Sequence, residues 1–108
     1  MFTRIELRRY KTPGGQVPFS EWLSDQDNAT GARVRAQVDR IRTGNFGHSR
    51  FVGRGVSELK INLGPGYRIY YLRDGKAIVV LLCAGDKGSQ RADIQRAHEL
   101  AADYWRRR

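Results

Sequence analysis

The stretch ELKINLGPGYRIYY, Glu58 to Tyr71, decides how the chain is read. Apolar and polar residues alternate, break at Gly64-Pro65-Gly66, and alternate again, which is the pattern of two antiparallel strands joined by a turn. Strand side chains alternate faces, so Leu59, Ile61 and Leu63 point one way and Glu58, Lys60 and Asn62 the other. Tyr67, Ile69 and Tyr71 form the apolar set that must join the first, which predicts Asn62 opposite Arg68 and Lys60 opposite Tyr70. Lys60 and Arg68 are then diagonal neighbours on one face, roughly 7–8 Å apart at the backbone.

Outward from this hairpin, Val56–Leu63, Tyr67–Arg73 and Lys76–Ala84 read as a three-stranded meander. Asp74-Gly75 is a two-residue hairpin signal. That turn would place Val79 and Leu81 on the Lys60/Arg68 face and Ile78, Val80 and Leu82 on the other. The last strand, AIVVLLCAG, is apolar on both sides, as a central strand is. The face bearing the two cations therefore adjoins an apolar floor and is expected to be concave or partly covered. Lys87 lies just past that strand, and a chain curling back at Gly85 would bring Lys60, Arg68 and Lys87 together. In the bland alternative, Lys60 pairs with Glu58 or Asp86, Arg68 stacks on Tyr70, and nothing binds.

Toward the N-terminus, FTRIELRRY alternates Phe2, Ile5 and Leu7 with charged residues and fits a first strand. KTPGGQVP breaks it. FSEWLSDQD reads as a short helix with Ser20 as N-cap, and NATGARVRAQVDRIRTGNFG as a longer one with Val34, Val38 and Ile41 on its apolar stripe and Gly44 as C-cap. Arg33, Arg35, Arg40 and Arg42 face mostly away from that stripe as a solvated face. NFGHSRFVGRG reads as a loop that carries His48, Arg50 and Arg54. The closing GSQRADIQRAHELAADYWRRR is a helix with Ser89 as N-cap and Ile94, Ala97, Ala101 and Tyr104 on one side; His98 lies mid-helix. Trp22 and Trp105 read as core or helix-packing aromatics.

The 108 residues suffice for one domain, 1–108, with no repeat or linker. Twenty Lys+Arg against eleven Asp+Glu give a formal charge of +9. Such a surface attracts polyanions, nucleic acid foremost, and acidic proteins. Arginine outnumbers lysine sixteen to four, and arginine makes planar bidentate phosphate contacts that lysine cannot. The single cysteine, Cys83, allows no disulfide and, with two separated histidines, no zinc site. The charged N-terminus lacks a signal-peptide core, and no apolar run approaches the roughly 20 residues that span a bilayer. A cytoplasmic protein without membrane association is expected.

Fixed cations without a metal suit phosphoryl transfer in which the nucleophile belongs to the substrate, as the 2′-OH of RNA does. Preorganised Arg or Lys donors stabilise the negative charge that builds on the phosphate oxygens. A base must take the 2′-OH proton and an acid must protonate the leaving 5′ oxygen. Lys60 could move a proton only as the free amine; His48, Asp86 and Asp93 are the alternatives.

Four segments, PFSEWL, GVSELKI, GPGYRIYY and LLCAGDKGSQRADIQRA, occur in an order that resembles the RelE/ParE superfamily of type II toxins, and within it the HigB-like addiction module killer group. The resemblance covers nearly the whole chain. It implies an α+β fold in which a small antiparallel sheet of about four strands packs with two N-terminal helices and a C-terminal helix. It also implies no cofactor, a cognate antitoxin often of helix-turn-helix type, and in many members metal-independent mRNA cleavage at the ribosome. Position by position, Lys60, Arg68 and Lys87 match the superfamily's catalytic basic residues. Two positions depart: Asn62 stands where RelE proper has a second basic residue, and Asp93 where it has a tyrosine.

Three functions follow as expectations. The first is an mRNA endonuclease toxin using Lys60, Arg68 and Lys87, with Arg50, Arg54 and the terminal arginines steering RNA. The second is a ParE-like, non-catalytic inhibitor of DNA gyrase, toward which Asn62 and Asp93 point. The third is a basic nucleic-acid-binding domain without toxicity.

Overall fold

A computed structural model describes residues 4–108. Phe2, expected in the first strand, lies outside the described residues. In chain order the elements are β1 (Glu6–Arg9), α1 (Pro18–Ser24), α2 (Asn28–Arg40), β2 (His48–Phe51), β3 (Val56–Ile61), β4 (Tyr67–Asp74), β5 (Ile78–Gly85) and α3 (Gln90–Arg107). The five strands form one sheet in the order β1-β5-β4-β3-β2. Every pairing is antiparallel except β1 with β5, which is parallel. The expected α+β class holds, with one strand more than expected and a mixed sheet in place of an antiparallel one.

The sheet is sandwiched. On one face Leu59, Ile61, Ile69, Tyr71, Val79 and Leu81 pack against Phe19 and Leu23 of α1 and Val34 and Val38 of α2, with Ile41 in the 3₁₀ turn that follows. On the other, Val56, Tyr70, Leu72, Val80, Leu82 and Cys83 pack against Ala97 and Ala101 of α3. Small residues let α3 lie close to the strands. β5 is buried along nearly its whole length because it serves both cores.

Local chemistry sets the helix boundaries. Proline at the first position of α1 needs no amide partner, which makes Val17 the N-cap and puts Ser20, the expected cap, inside the helix. The Ser20 hydroxyl instead accepts a hydrogen bond from Arg9 Nη1 at 2.9 Å. Asp27 caps α2, accepting from the Thr30 amide at 2.7 Å. After the 3₁₀ turn Ile41–Thr43, Gly44 closes the segment at φ 87°, a left-handed conformation that glycine adopts without strain. Ser89 does precede α3, but its hydroxyl donates to the Asp93 carboxylate at 2.5 Å and caps no amide.

Two registers differ from the alternation-based reading. Between β3 and β4, Lys60 faces Arg68 directly and Glu58 faces Tyr70, because the connection spans the five residues 62–66 and not three. A shift of two residues leaves every side chain on its expected face. Between β4 and β5, Asp74 pairs with Ile78 across a three-residue turn. Arg73 thus faces Val79 and not Lys76, an odd shift of three that turns β5 over: Val79 and Leu81 join the α1/α2 core, and Val80 and Leu82 take the α3 side. A bulge between Tyr70 and Tyr71 then sets Cys83 opposite Tyr70 and Gly85 opposite Arg68. Trp22 packs edge-on to Tyr67 at 5.6 Å as expected of a core aromatic. Trp105, expected as a core or helix-packing aromatic, is 44% exposed at the end of α3, where Tyr104 and Arg108 approach its ring.

Candidate functional site

The segment that reads as a loop in the sequence, His48 to Phe51, is the edge strand β2, and this decides the site. Its pairing with β3 sets His48 opposite Lys60. His48, Lys60, Arg68 and Gly85 therefore form one row across four adjacent strands, with all three side chains on the α3 face. Paired residues lie about 4.5–5.5 Å apart at their β-carbons, closer than the diagonal spacing expected. His48 and Lys60 are exposed, whereas Arg68 is 6% exposed.

Lys60 and Arg68 are the common wall of two adjoining open depressions. One, about 330 Å³, is lined by the β3–β4 connection and by Lys87 from the 3₁₀ turn after β5. The other, about 410 Å³, is lined by His48, Ser49, Arg50, Glu58 and Gln90. Lys60, Arg68 and Lys87 are thus brought to one place, as the sequence suggested. The surroundings are not the apolar floor expected. Val79 and Leu81 lie on the opposite face, and both depressions are open, the second lined by polar and charged residues whose apolar stems form much of its surface.

Beneath this row runs a second: Arg50, Glu58, Tyr70 and Cys83. Glu58 is 3% exposed. Its Oε1 accepts from Arg50 Nε at 3.0 Å, and its Oε2 accepts from the Tyr70 hydroxyl at 3.0 Å and from Gln90 Nε2 at 2.9 Å. Burial pushes the Glu58 carboxyl up, but the bonds from Arg50, Gln90 and Tyr70 outweigh it and hold the group below the usual carboxylate range. Burial, then the bond to Glu58, drives the Tyr70 hydroxyl far above its ordinary value, so it stays a donor. Arg68 Nη1 donates to the Gly66 carbonyl at 2.8 Å, while its Nε lies 3.9 Å from Glu58 Oε1. That Nε is buried and has no hydrogen-bond partner among the described residues.

The other candidates are placed differently. Asp86 accepts from the Gly88 and Ser89 amides and caps the turn that carries Lys87. Asp93 receives the Ser89 hydroxyl and lies against Gly85. Arg54, at φ 51° in the tip of the β2–β3 hairpin, lines a separate depression with His98, Glu99 and Arg106 and does not join the row. His98 bonds the Val52 carbonyl at 2.9 Å, in keeping with a structural role. Neither alternative for Lys60 occurs: among the described residues it makes no ion pair with Glu58 or Asp86. Glu58 and Gln90 are the residues that sequence reasoning passed over. The available signal was a lone acid beside Lys60 on the polar face of its strand.

Among the described residues, no group of His, Cys, Asp and Glu is arranged to hold a metal ion, and no helix is long and apolar enough to cross a membrane. Residues 21–103 match the family described as "Phage derived protein Gp49-like (DUF891)". An uncharacterized protein of Haemophilus influenzae is 41% identical over 88 residues, which cover 81% of this chain and 89% of that protein.

Proposed function

The chain belongs to the Gp49-like family of phage-derived proteins, a RelE-like toxin family of addiction modules, and from that premise we propose that it is a toxin that cleaves translated mRNA at the ribosome. The observation that carries the proposal is the row His48, Lys60 and Arg68, with Lys87 across the shared depression. In the reaction, the 2′ oxygen attacks the adjacent phosphorus as the bond to the 5′ oxygen breaks, leaving a 2′,3′-cyclic phosphate and a 5′-hydroxyl. Lys60, Arg68 and Lys87 stabilise the charge on the phosphate oxygens. His48 takes the proton of the 2′-OH, because Asp86 and Asp93 are engaged by the turn before α3, and the leaving 5′ oxygen takes its proton from solvent water.

Mapping of message ends by primer extension after brief induction is expected to reveal new 5′ ends within translated regions, absent for Lys60→Ala. Intact messages during growth arrest by the wild-type chain would overturn the proposal. The engagement of both aspartates also favours a second reading, a ParE-like protein that inhibits gyrase without catalysis. Loss of supercoiling activity by purified gyrase would select it. In either case the partner is an acidic antitoxin, which a surface of +9 attracts.

A further inference from the structure

Glu58 Oε1 has two guanidinium claimants and serves one. Arg50 Nε takes it at 3.0 Å, and Arg68 Nε waits at 3.9 Å with no acceptor. The two arginines are unlike. The Arg50 side chain is 62% exposed on an edge strand, where an ion pair contributes little and a guanidinium is readily hydrated or offered to another anion. The Arg68 side chain is 7% exposed, and a buried donor left unpaired is costly. The arrangement favours the less needy partner, which makes it easy to exchange.

We infer that a phosphodiester entering the depression beside His48 draws Arg50 off Glu58, and that Arg68 Nε–H then closes onto the vacated Oε1. Arg50 is the capturing arm and Glu58 the positioning residue. Glu58 remains tied to β4 through Tyr70 and to α3 through Gln90, so the carboxylate stays in place while its partner changes. Arg68 closes on it by less than the width of an atom, with its Nη1 still anchored by the Gly66 carbonyl. Substrate binding thereby fixes the buried cation that faces the scissile phosphate, and a chain without bound RNA keeps that cation loosely held. The inference rests on the proposed ribonuclease reading for its ligand, but not for the exchange itself.

The experiment follows the arginine Nε–H signals of the ¹⁵N-labelled full chain by NMR, using as probe a single-stranded RNA oligonucleotide that is 2′-O-methylated throughout and cannot be cleaved. On saturation, the Arg68 Nε–H is expected to move downfield and to exchange with water about tenfold more slowly, while Arg50 Nε–H loses its protection. Arg50→Gln, a change at an exposed position, is expected to give the same Arg68 signal with no RNA present. Glu58→Gln is expected to bind the probe without the Arg68 response. Binding of the probe with Arg68 Nε–H unmoved, or an Arg50→Gln chain with Arg68 Nε–H still unprotected, overturns the exchange. Absence of any probe binding overturns capture of RNA by Arg50, and the Arg50→Gln measurement then decides the exchange alone.

Discussion

Gly85 and Asp93 touch where β5 hands over to α3: a Cβ built on Gly85 overlaps the Asp93 carboxylate and the Ser89 hydroxyl. The absence of a side chain at 85 is what allows the first turn of α3 to lie on the sheet beside Arg68. Gly85→Ala must displace the Asp93 carboxylate and the Ser89 hydroxyl, or the turn that carries them. An overpacking cost of about 1–3 kcal/mol is expected, read as a lower urea midpoint with the denaturant slope unchanged. Wild-type stability in this variant would refute the contact.

Lys60 is exposed and makes no ion pair among the described residues, so its removal separates function from folding. Lys60→Ala is expected to leave stability within about 0.5 kcal/mol. Message cleavage should fall by on the order of 10²–10³-fold, the scale of losing one preorganised charge contact. A large drop in melting temperature together with lost cleavage would point to a structural lysine.

Acid should destabilise the fold. Asp74 is held below the usual carboxylate range by the hydroxyl of Tyr104 and by Arg108, Asp103 by Arg107 and Tyr10, and Glu58 by the bonds that outweigh its burial. Each group binds its proton more weakly folded than unfolded. Their contributions are therefore complete above the unfolded values near pH 4 and are lost as pH falls through the lower folded values. Urea midpoints should hold steady from pH 7 to about 5 and decline below about 4. Tyr104→Phe, which removes the 2.6 Å bond to Asp74, should make the decline shallower.

Cys83 offers a probe of opening. Burial pushes its thiol up to about 12, and the residue is 1% exposed between β4 and α3. At pH 8 a maleimide should fail to label the folded chain, and labelling should rise with urea in step with global unfolding. Because the thiol loses its proton less readily folded than unfolded, this group's contribution is complete below about pH 8.5 and is lost as pH rises toward 12. Rapid labelling of the native chain would mean that α3 lifts from the sheet on its own.

The terminal arginines fasten α3 down. Arg107 donates to Asp103 at 2.7 Å and to the Lys11 carbonyl at 2.6 Å, and Arg108 donates to Asp74 at 2.5 Å. Truncation after Trp105 is expected to lower the melting temperature by several degrees, and unchanged melting would show the contacts to be idle.

Alternation is enough to separate the two faces of Glu58–Tyr71, because that pattern survives a register shift of two. It is not enough to set Lys60 opposite Arg68, since that depends on a five-residue connection whose length leaves no periodic trace. The three-residue turn after Asp74 is equally silent, and its cost is larger because it moves the partner of Arg73 from Lys76 to Val79, an odd shift that inverts Val79 to Leu82. β2 escapes notice because HSRF carries a single large apolar residue, Phe51, which is 69% exposed, so the strand exists through pairing with β3 and not through burial. The convergence of Lys60, Arg68 and Lys87 is legible; Glu58, whose role depends on four partners from two other strands and a helix, is not.

The parallel pairing of β1 with β5 has a consequence for biosynthesis. Glu6 is made early and finds its mate only at Ile78, and Lys87 follows later still. A nascent chain must hold its first strand in waiting while the rest emerges, a long-range closure of the kind that slows folding. The surface that gathers Lys60, Arg68 and Lys87 thus comes into being only after the segment carrying Lys87 has been made, so its cations stay apart while the nascent chain still lacks β5.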